Sequence, residues 1–398
     1  MAAARPYAAV PGARLPELPH DLATTYPNVT GRPLICLQTP RVSDRYYAQD
    51  AELIIEFLLH YARAIVRHTD NVILFADPRT VPSLRQRMPP GTVLPSNTED
   101  IWLRDFGPVR MSRPTLFKYR PRAERPRDCV VIQGSFISTM RMYDVQSRWF
   151  CRASPDLTLD GGNVVDNDRN AAVLTHRVVS DNPQAVAHPG GIAHRLSEEL
   201  DLQHIAIIDE LPGDTTGHSD GMVSFIDDDV IALSELDNVD HARIRTQLTS
   251  QLPTAFTIVD LPCQASVEYW RGYSSAFGVH VNATVTADNV YVPRFGRDPA
   301  ANQAPRDVGG RVGSAVGRVG SAGAGRQAGY GPRVDERDDD AAIGVIIRNT
   351  RKTIIPIDVP YRIARMGGSV RCLSWQVSGP VADCLVNEAK QYDQNHRK

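Results

Sequence analysis

Several features that identify common classes of protein are scarce in this chain of 398 residues. Cysteine occurs only six times, at scattered positions, and never as a Cys-x-x-Cys pair. A zinc site or a disulfide framework is therefore not expected, and reduced thiols in a cytoplasmic protein are. No apolar run reaches the ~18–20 residues of a membrane-spanning helix, so no membrane association is expected either.

An excess of charge of one sign is also missing. The chain has 44 Lys and Arg against 46 Asp and Glu, a formal net charge of −2. This balance gives no reason to expect nucleic acid or an anionic membrane as the main partner. Residues 1–30 are rich in proline and contain no apolar segment of signal-peptide length, so we interpret them as an irregular lead-in and do not expect secretion.

From residue 31 onward, short apolar segments alternate with segments of helical periodicity, which predicts an α/β fold. The clearest helix lies within residues 46–67, where apolar side chains recur at helical spacing. Further helices are predicted at 81–88, 191–200, 241–252 and 335–347. Strands are predicted at 33–37, 71–75, 109–111, 128–134, 170–175, 203–208, 222–225, 230–233, 256–259, 279–285, 290–292, 353–357 and 370–375.

One segment departs from this pattern. Residues 297–335 consist largely of Gly, Ala, Ser, Val and Arg, and the pentapeptide Arg-Val-Gly-Ser-Ala occurs at 311–315 and again at 318–322. Such a segment cannot bury enough apolar surface to offset the entropy of ordering it. We therefore predict a disordered insertion within one catalytic domain that spans residues 31–398, and leave open whether it belongs to the mature chain.

Residues 98–108 concentrate charged and aromatic side chains. Eleven residues contain three carboxylates, Arg104 and Trp102, and Gly107-Pro108 ends the run. One interpretation is a turn with Trp102 packed beneath it and Arg104 paired with a carboxylate. The other is a cation site, because a guanidinium or ammonium binds carboxylate acceptors and an aromatic face.

Three further turns carry reactive groups. His218 and Asp220 are two residues apart between glycines, so in an extended chain both point to the same side, either as a structural pair or as part of a site. Asp160-Gly161-Gly162-Asn163 is a second acidic turn. Gly367-Gly368 leads through a short predicted strand to Cys372, which is either an inert buried thiol or, beside Arg371, a thiolate nucleophile.

A thiol, an imidazole and an acid would also suit acyl transfer. An acyl-transfer site needs oxyanion donors, however, and has no use for a second and a third carboxylate facing the reacting carbon. A guanidinium does need them, because it is planar, permanently charged and presents paired N–H donors. The residues therefore favour attack by a thiolate on a guanidinium carbon.

Five segments, taken in chain order, resemble the motifs of the agmatine deiminase and bacterial-type peptidylarginine deiminase family of guanidine-modifying enzymes. The resemblance covers roughly residues 33–379, apart from the insertion. It implies an α/β fold of a particular kind, a pseudo-fivefold symmetric α/β propeller with the site on its axis. The segments are Trp102–Pro108, Asp160–Asn163, Gly217–Gly221, Val290–Gly296 and Gly367–Cys372.

The resemblance implies a hydrolase that converts agmatine to N-carbamoylputrescine and ammonia, a reaction of putrescine biosynthesis, with no metal or cofactor. Cys372 would attack the guanidinium carbon. His218 would protonate the departing ammonia and then activate water, and Asp160 would orient His218. General acid–base catalysis of this kind contributes ~10²–10⁴ in rate.

The family motifs also imply substrate-binding residues. Asp105 and Asp220 would hold the guanidinium nitrogens, Trp102 would flank the aliphatic stem of the substrate, and Asn282 falls where the family often has an asparagine near the site.

The chain departs from the family beside the nucleophile. Arg371 precedes Cys372 where histidine is usual, Glu99-Asp100 stands where Asn-Asp is common, and His280 replaces a frequent tyrosine. Arg371 would either pair with a substrate carboxylate, favouring arginine or peptidylarginine, or be a solvated strand residue that lowers the thiol pKa.

Several alternatives therefore stay open. A protein-arginine or free-arginine deiminase would form citrulline at the same site. A thiol hydrolase or an amidinotransferase would use the same nucleophile, and a non-catalytic relative would only bind guanidino compounds. The oligomeric state, a homo-oligomer included, is also left open.

Overall fold

The computed structural model describes residues 25–120, 126–153, 156–187, 191–236, 238–266, 268–296 and 336–396. Most of the proline-rich lead-in and all of the predicted insertion at 297–335 lie outside these ranges, so the domain boundaries and the disorder of the insertion stay predictions. Within the described ranges, no helix combines the length and the apolar character needed to cross a membrane.

The described chain alternates strands and helices, which confirms the α/β class predicted from the sequence. The helices are α1 Ala51–Val66, α2 Val81–Arg85, α3 Leu103–Phe106, α4 Pro126–Met142, α5 Arg177–Asp181, α6 Gly191–Leu200, α7 Asn238–Gln251, α8 Glu336–Asn349, α9 Tyr361–Ala364 and α10 Pro380–Asn395. Short 3₁₀ turns occupy Ser147–Trp149, Gly161–Asn163, Pro183–Ala187 and Ser219–Gly221.

The strands are short and form separate small sheets. They are β1 Leu34–Gln38, β2 Asn71–Ala76, β3 Val93–Pro95, β4 Thr115–Leu116, β5 Cys151–Arg152, β6 Val165–Asp166, β7 Ala171–Thr175, β8 His204–Ile208, β9 Val223–Phe225, β10 Val230–Ser234, β11 Thr257–Leu261, β12 Tyr269–Trp270, β13 Tyr273–Ser274, β14 Thr284–Val285, β15 Asn289–Arg294, β16 Thr353–Asp358 and β17 Ser374–Val377.

The first sheet shows why its strands are apolar throughout. Its strand order is β17-β1-β2-β3, and β1 pairs in parallel with β2. Ile35 and Leu37 belong to the core cluster that includes α1, whereas Leu34 and Cys36 belong to the cluster that includes α10. Because both faces of the sheet are covered by helices, alternate residues of each strand are buried on opposite sides.

Five of the sheets share one plan, in which a strand pairs antiparallel on one side and parallel on the other. The trios are β17-β1-β2, β6-β7-β8, β9-β10-β11 and β14-β15-β16. In the fifth, β4 pairs in parallel with β5 and Val109 forms an isolated antiparallel bridge to Thr115. Each sheet thus begins with a short antiparallel segment, and these segments position the site described below.

Two strand predictions were wrong and two were too long, each for a local reason. Residues 128–134 lie in α4, because Phe136 and Met140 bury one helical face although the β-branched residues Val130 and Val131 favour a strand. Residues 109–111 form only a bridge, because Arg110 has a positive φ of 63°.

The other two strand predictions were too long. Within 279–285 only Thr284–Val285 is a strand, and within 370–375 the strand begins at Ser374. In both cases the residues before the strand form turns, and these turns carry Asn282 and Cys372. A strand would have turned alternate side chains away from the site.

Candidate active site

The predicted site residues lie at equivalent places in the five sheets that share one plan. Asp105, Asp160, Asp220, Asn282 and Cys372 stand between two and five residues before the antiparallel segment of their respective sheets. The structure brings their side chains together, although 267 residues separate the first from the last. The turns preceding the five sheets therefore meet at one place.

Cys372 is buried at the centre of this cluster. Its Sγ lies 3.1 Å from Asn282 Nδ2 and 3.7 Å from Asp220 Oδ2. Burial, together with the charges of Asp220 and Asp105, raises the pKa of the Cys372 thiol well above its usual value. These neighbours favour the thiol form, and the thiolate nucleophile considered from the sequence stays a prediction.

Asn282 is held by the turn that carries the cysteine. Its Oδ1 accepts hydrogen bonds from the backbone N–H of Ser369 at 3.2 Å and from the Ser369 hydroxyl at 2.7 Å. Because Oδ1 is bound in this way, Nδ2 points to the sulfur. Asn282 can thus donate a hydrogen bond to a thiolate without moving.

His218 and Asp160 form a buried ion pair. Nε2 of His218 lies 3.1 Å from Asp160 Oδ2, although the two are not aligned as a hydrogen bond. Burial lowers the pKa of His218, but the charge of Asp160, its pairing with the ring and the charge of Asp105 together outweigh burial, and the pKa is raised to about 9. Burial raises the pKa of Asp160, yet the charges of His218 and Arg177 bring it below its usual value. The imidazole is consequently protonated at neutral pH.

Two other carboxylates of the cluster have no full counter-charge. Oδ1 of Asp105 is enclosed without a hydrogen-bond partner, and burial and the charge of Asp160 raise the pKa of Asp105 well above its usual value. Burial also raises the pKa of Asp220, and the charges of His218 and Arg371 offset this only in part. Enclosed carboxylates of this kind favour the binding of a cation, which would offset their charge.

Two glycines allow the groups to approach one another. A Cβ on Gly162 would lie 2.2 Å from Nδ1 of His218. A Cβ on Gly368 would lie 2.5 Å from Cζ3 of Trp102 and 3.0 Å from Sγ of Cys372. Trp102 is half-buried and therefore forms a wall beside the sulfur.

Arg371 does not have the solvated position considered as one alternative, because only 5% of it is exposed. Its Nη2 donates to the carbonyl of Val164 at 2.8 Å, and its Nε lies 3.8 Å from Asp220 Oδ2. Arg104 is buried next to it, and its Nε donates to the carbonyl of Gly161 at 3.1 Å. Burial and the charge of Arg371 lower the pKa of Arg104 to about 10.

The guanidiniums of Arg104 and Arg371 both line a polar cavity of about 580 Å³ whose walls do not include Cys372, His218 or Asp105. Arg104 reaches Asp166 only at 3.7 Å, so pairing with a carboxylate explains it less well than its contacts to carbonyl oxygens. That pairing was the simpler interpretation of residues 98–108.

The ligand atoms of Asp105, Asp160 and His218 lie within 4.8 Å of one another, a spacing that a metal ion could also use. Arg177 opposes a metal, because it already places a guanidinium nitrogen 3.0 Å from Asp160. The arrangement therefore suits a cation that donates hydrogen bonds better.

Sequence reasoning missed Arg177, which is 1% exposed and contacts Asp160 directly. It lies in no recognised motif, and its other acceptors include the backbone carbonyls of Thr216 and Arg120. Carbonyl acceptors leave no trace in a residue pattern. In the sequence, the available indication of a role for Arg177 was its position two residues after the predicted strand at 170–175.

Comparisons with known proteins agree with this geometry. Residues 30–309 match the family model described as Porphyromonas-type peptidyl-arginine deiminase. The agmatine deiminase of C. jejuni has a TM-score of 0.62 and 17% identity, covering 88% of this chain and 94% of that one. The agmatine deiminase of Enterococcus faecalis has a TM-score of 0.60 and 16% identity, covering 87% and 93%. A search of curated proteins gave no match.

Proposed function

The chain belongs to the Porphyromonas-type peptidyl-arginine deiminase family, and from that premise we propose that it hydrolyses a guanidinium group through a covalent adduct on Cys372. The reaction converts a guanidinium and water into a urea and ammonium, so the enzyme is a hydrolase of C–N bonds.

One observation carries this proposal. The thiol of Cys372 lies beside Asp220, and Oδ1 of Asp105, in the same cluster, has no hydrogen-bond partner. A guanidinium bound between the two carboxylates would donate hydrogen bonds to them and place its central carbon near the sulfur. It would also offset the negative charges that raise the thiol pKa, so that binding of the substrate itself promotes the thiolate.

In the first half of the reaction, the Cys372 thiol loses its proton to solvent as the substrate binds, and the thiolate forms a bond to the guanidinium carbon and gives a neutral tetrahedral adduct. His218, protonated at neutral pH, gives its proton to one nitrogen. The bond from carbon to that nitrogen breaks and ammonia leaves. The product of this half is a positively charged S-alkyl thiouronium, which Asp105 and Asp220 stabilise.

In the second half, His218 is neutral and takes a proton from a water molecule as its oxygen bonds to the same carbon. The bond from carbon to sulfur then breaks, the thiol is restored and the ureido product leaves. Asp160 holds the imidazole through both halves, because the charged and the neutral ring both face its carboxylate. Asn282 stabilises the sulfur whenever it carries charge.

Among substrates, we place agmatine first, with formation of N-carbamoylputrescine in the cytoplasm. Peptidylarginine or free arginine, giving citrulline, is the alternative. The two agmatine deiminases of similar fold support the first, and the description of the matching family supports the second. Trp102 would contact the aliphatic stem in either case.

We also propose that the five sheets of shared plan are the blades of a pseudo-fivefold propeller. The equivalent positions of Asp105, Asp160, Asp220, Asn282 and Cys372 before their sheets support this arrangement.

The test is formation of ammonia and of a ureido product from agmatine, free arginine and a blocked arginine peptide, measured in parallel. Cys372→Ala provides the blank, and a chelator is added in one arm. We expect turnover of one substrate that is lost in the variant and unaffected by the chelator.

Each other outcome has a defined meaning. No turnover of any substrate by folded protein would overturn deimination of these compounds. Turnover that the chelator abolishes would replace the guanidinium interpretation with a metal site, and product transfer to an added amine without ammonia would indicate an amidinotransferase.

A further inference from the structure

Arg177 is the most completely enclosed charged side chain that contacts the site. It is the first residue of α5, two residues after the end of β7, and 1% of it is exposed. Its Nε donates to Asp181 Oδ2 at 3.0 Å, and its Nη1 lies 3.0 Å from Asp160 Oδ2. Nη1 also donates to the carbonyl of Thr216, and Nη2 to that of Arg120 at 3.1 Å.

These contacts fix the guanidinium on four separate segments of chain. Enclosing an arginine costs several kcal/mol unless its donors are paired. The charge of Asp160 contributes more than the charge of Asp181 to offsetting that of the guanidinium. Two of the contacts lead to the same residue, because Asp160 pairs with the His218 ring and Thr216 lies two residues before His218.

We propose that Arg177 is a positioning residue for His218, acting through the carboxylate of Asp160 and through the backbone that carries His218. This inference rests on the proposed function, since it assigns the part that Arg177 plays in proton transfer by that imidazole. Arg177 touches neither the thiol nor the space between Asp105 and Asp220.

Charge gives Arg177 a second effect on the same imidazole. The groups that face His218 are Asp160, Asp105, Asp220 and Arg177, and among these the guanidinium is the only cation. Asp160 raises the pKa of His218 and Arg177 lowers it. Without Arg177, His218 would hold its proton more tightly and protonate the leaving ammonia more slowly.

The decisive variant is Arg177→Met, which keeps the length of the side chain and removes its charge. The readout is the pKa of His218, followed by NMR titration of the ring protons and assigned with His218→Asn. We expect an upward shift of about one pH unit or more, since a buried charge is removed at short range. The control is Arg110→Met, because Arg110 is also buried and bound to carbonyl oxygens but lies apart from His218.

A purely structural role predicts a different result. A smaller fraction of folded protein lowers signal and rate at every pH without moving the pKa. If Arg177→Met folds, as judged by circular dichroism, and His218 titrates as in the unaltered protein, the proposal is wrong. The titration needs no turnover, so this failure is separate from failure of the proposed function.

Arg177→Lys keeps the test decisive if the methionine variant does not fold. Lysine keeps the charge, but a single ammonium cannot bind both Asp160 and the Thr216 carbonyl in the geometry of the planar guanidinium. We expect kcat to fall about tenfold, with KM changed less than about twofold, because positioning of the imidazole affects the chemical step. A kcat equal to that of the unaltered enzyme would overturn the proposal.

Discussion

Two neighbouring regions are held together in different ways. One is the reacting end of the site, and the other is a cluster of Tyr46, Tyr47, Trp270 and Arg271, which we propose forms its mouth. At the reacting end, Cys372, His218 and Asp160 are between 4% and 7% exposed and are fixed by charges. At the mouth, Tyr46 and Trp270 are partly exposed and pack as rings, edge to face with centroids 5.1 Å apart. The energy of a charge–charge interaction at short range depends steeply on the distance between the groups, whereas the packing energy of aromatic rings tolerates small shifts.

The two regions are nevertheless continuous. Tyr47, whose ring stacks with Trp270, donates its hydroxyl to Asp100 at 2.8 Å, and Asp100 precedes Trp102 by two residues. Burial raises the pKa of Asp100 to about 6. We infer that the reacting end sets the chemistry and the mouth tunes which substrate is accepted, and the following variants test that division from the largest effect to the smallest.

The largest effect is expected at the imidazole. His218→Asn removes the group that gives and takes protons, so we expect kcat to fall by ~10²–10⁴. The variant should fold normally, which circular dichroism will show. A loss of less than about tenfold, measured as ammonia release, would mean that proton transfer does not depend on this residue.

A single methyl group at the reacting end should be nearly as damaging. Gly162→Ala would place a Cβ 2.2 Å from Nδ1 of His218, so the ring must move. A displacement of about 1 Å can cost ~10²-fold in rate, and we expect a loss of that order in kcat. The matched control is Gly134→Ala in α4, where the added methyl meets nothing within 4 Å.

The control variant, Gly134→Ala, should stabilise the protein. Alanine is favoured over glycine in a helix by ~0.5–1 kcal/mol, so Gly134→Ala should raise the melting temperature slightly and leave kcat unchanged. Equal activity of the two glycine variants would contradict the close approach of Gly162 to His218.

The pH profile should identify the carboxylate that holds the imidazole. With a pKa of about 9, His218 loses its proton as the pH rises through that value, so kcat/KM should fall on the alkaline side. Asp160→Asn removes the charge that raises this pKa, and burial then lowers it. We expect the alkaline limb to move at least about one unit toward lower pH, so that activity at pH 9 falls at least about fivefold.

A carboxylate elsewhere provides the comparison. Asp209→Asn alters an acid that is paired with Arg243 at 3.1 Å and takes no part in the cluster around Cys372. Its pH profile should match that of the unaltered enzyme. An alkaline limb that stays in place in Asp160→Asn would assign that limb to another group.

The same division explains what the sequence could predict. The motif residues Asp105, Asp160, His218, Asp220 and Cys372 could be found because each stands in a short turn with glycine or proline, where residue type is restricted. The structure brings them together, although their individual roles stay predictions. The α/β class followed from periodicity, since strands buried on both faces read as apolar runs.

Other features left no pattern to find. Arg177 binds backbone carbonyls, which any sequence supplies, and the burial of Arg371 depends on Val164, more than 200 residues away. Val130 and Val131 lie in the first half of α4, although both are β-branched. They are helical because the buried face of α4 is formed further along, by Phe136 and Met140. In each case tertiary contacts decided what local preference could not.

The smallest effect is expected at the mouth. Arg271 and Gly272 form the two-residue turn between β12 and β13, with positive φ angles of 49° and 92°. This turn holds the Arg271 guanidinium 4.2 Å from the ring centre of Tyr46 and 4.7 Å from that of Trp270. Cation–π contacts at exposed positions are worth ~0.5–1 kcal/mol.

Arg271→Gln should therefore change KM by about two- to fivefold and leave kcat as it is, with the exposed Arg67→Gln as control. The measurement is the pair of constants for agmatine, arginine and a blocked arginine peptide. If the mouth contacts the tail of the substrate, as the inferred division requires, the three KM values will change by different factors, and their ratio reports which tail Arg271 meets. A fall in kcat as large as that of Gly162→Ala would show instead that the mouth and the reacting end act as one unit.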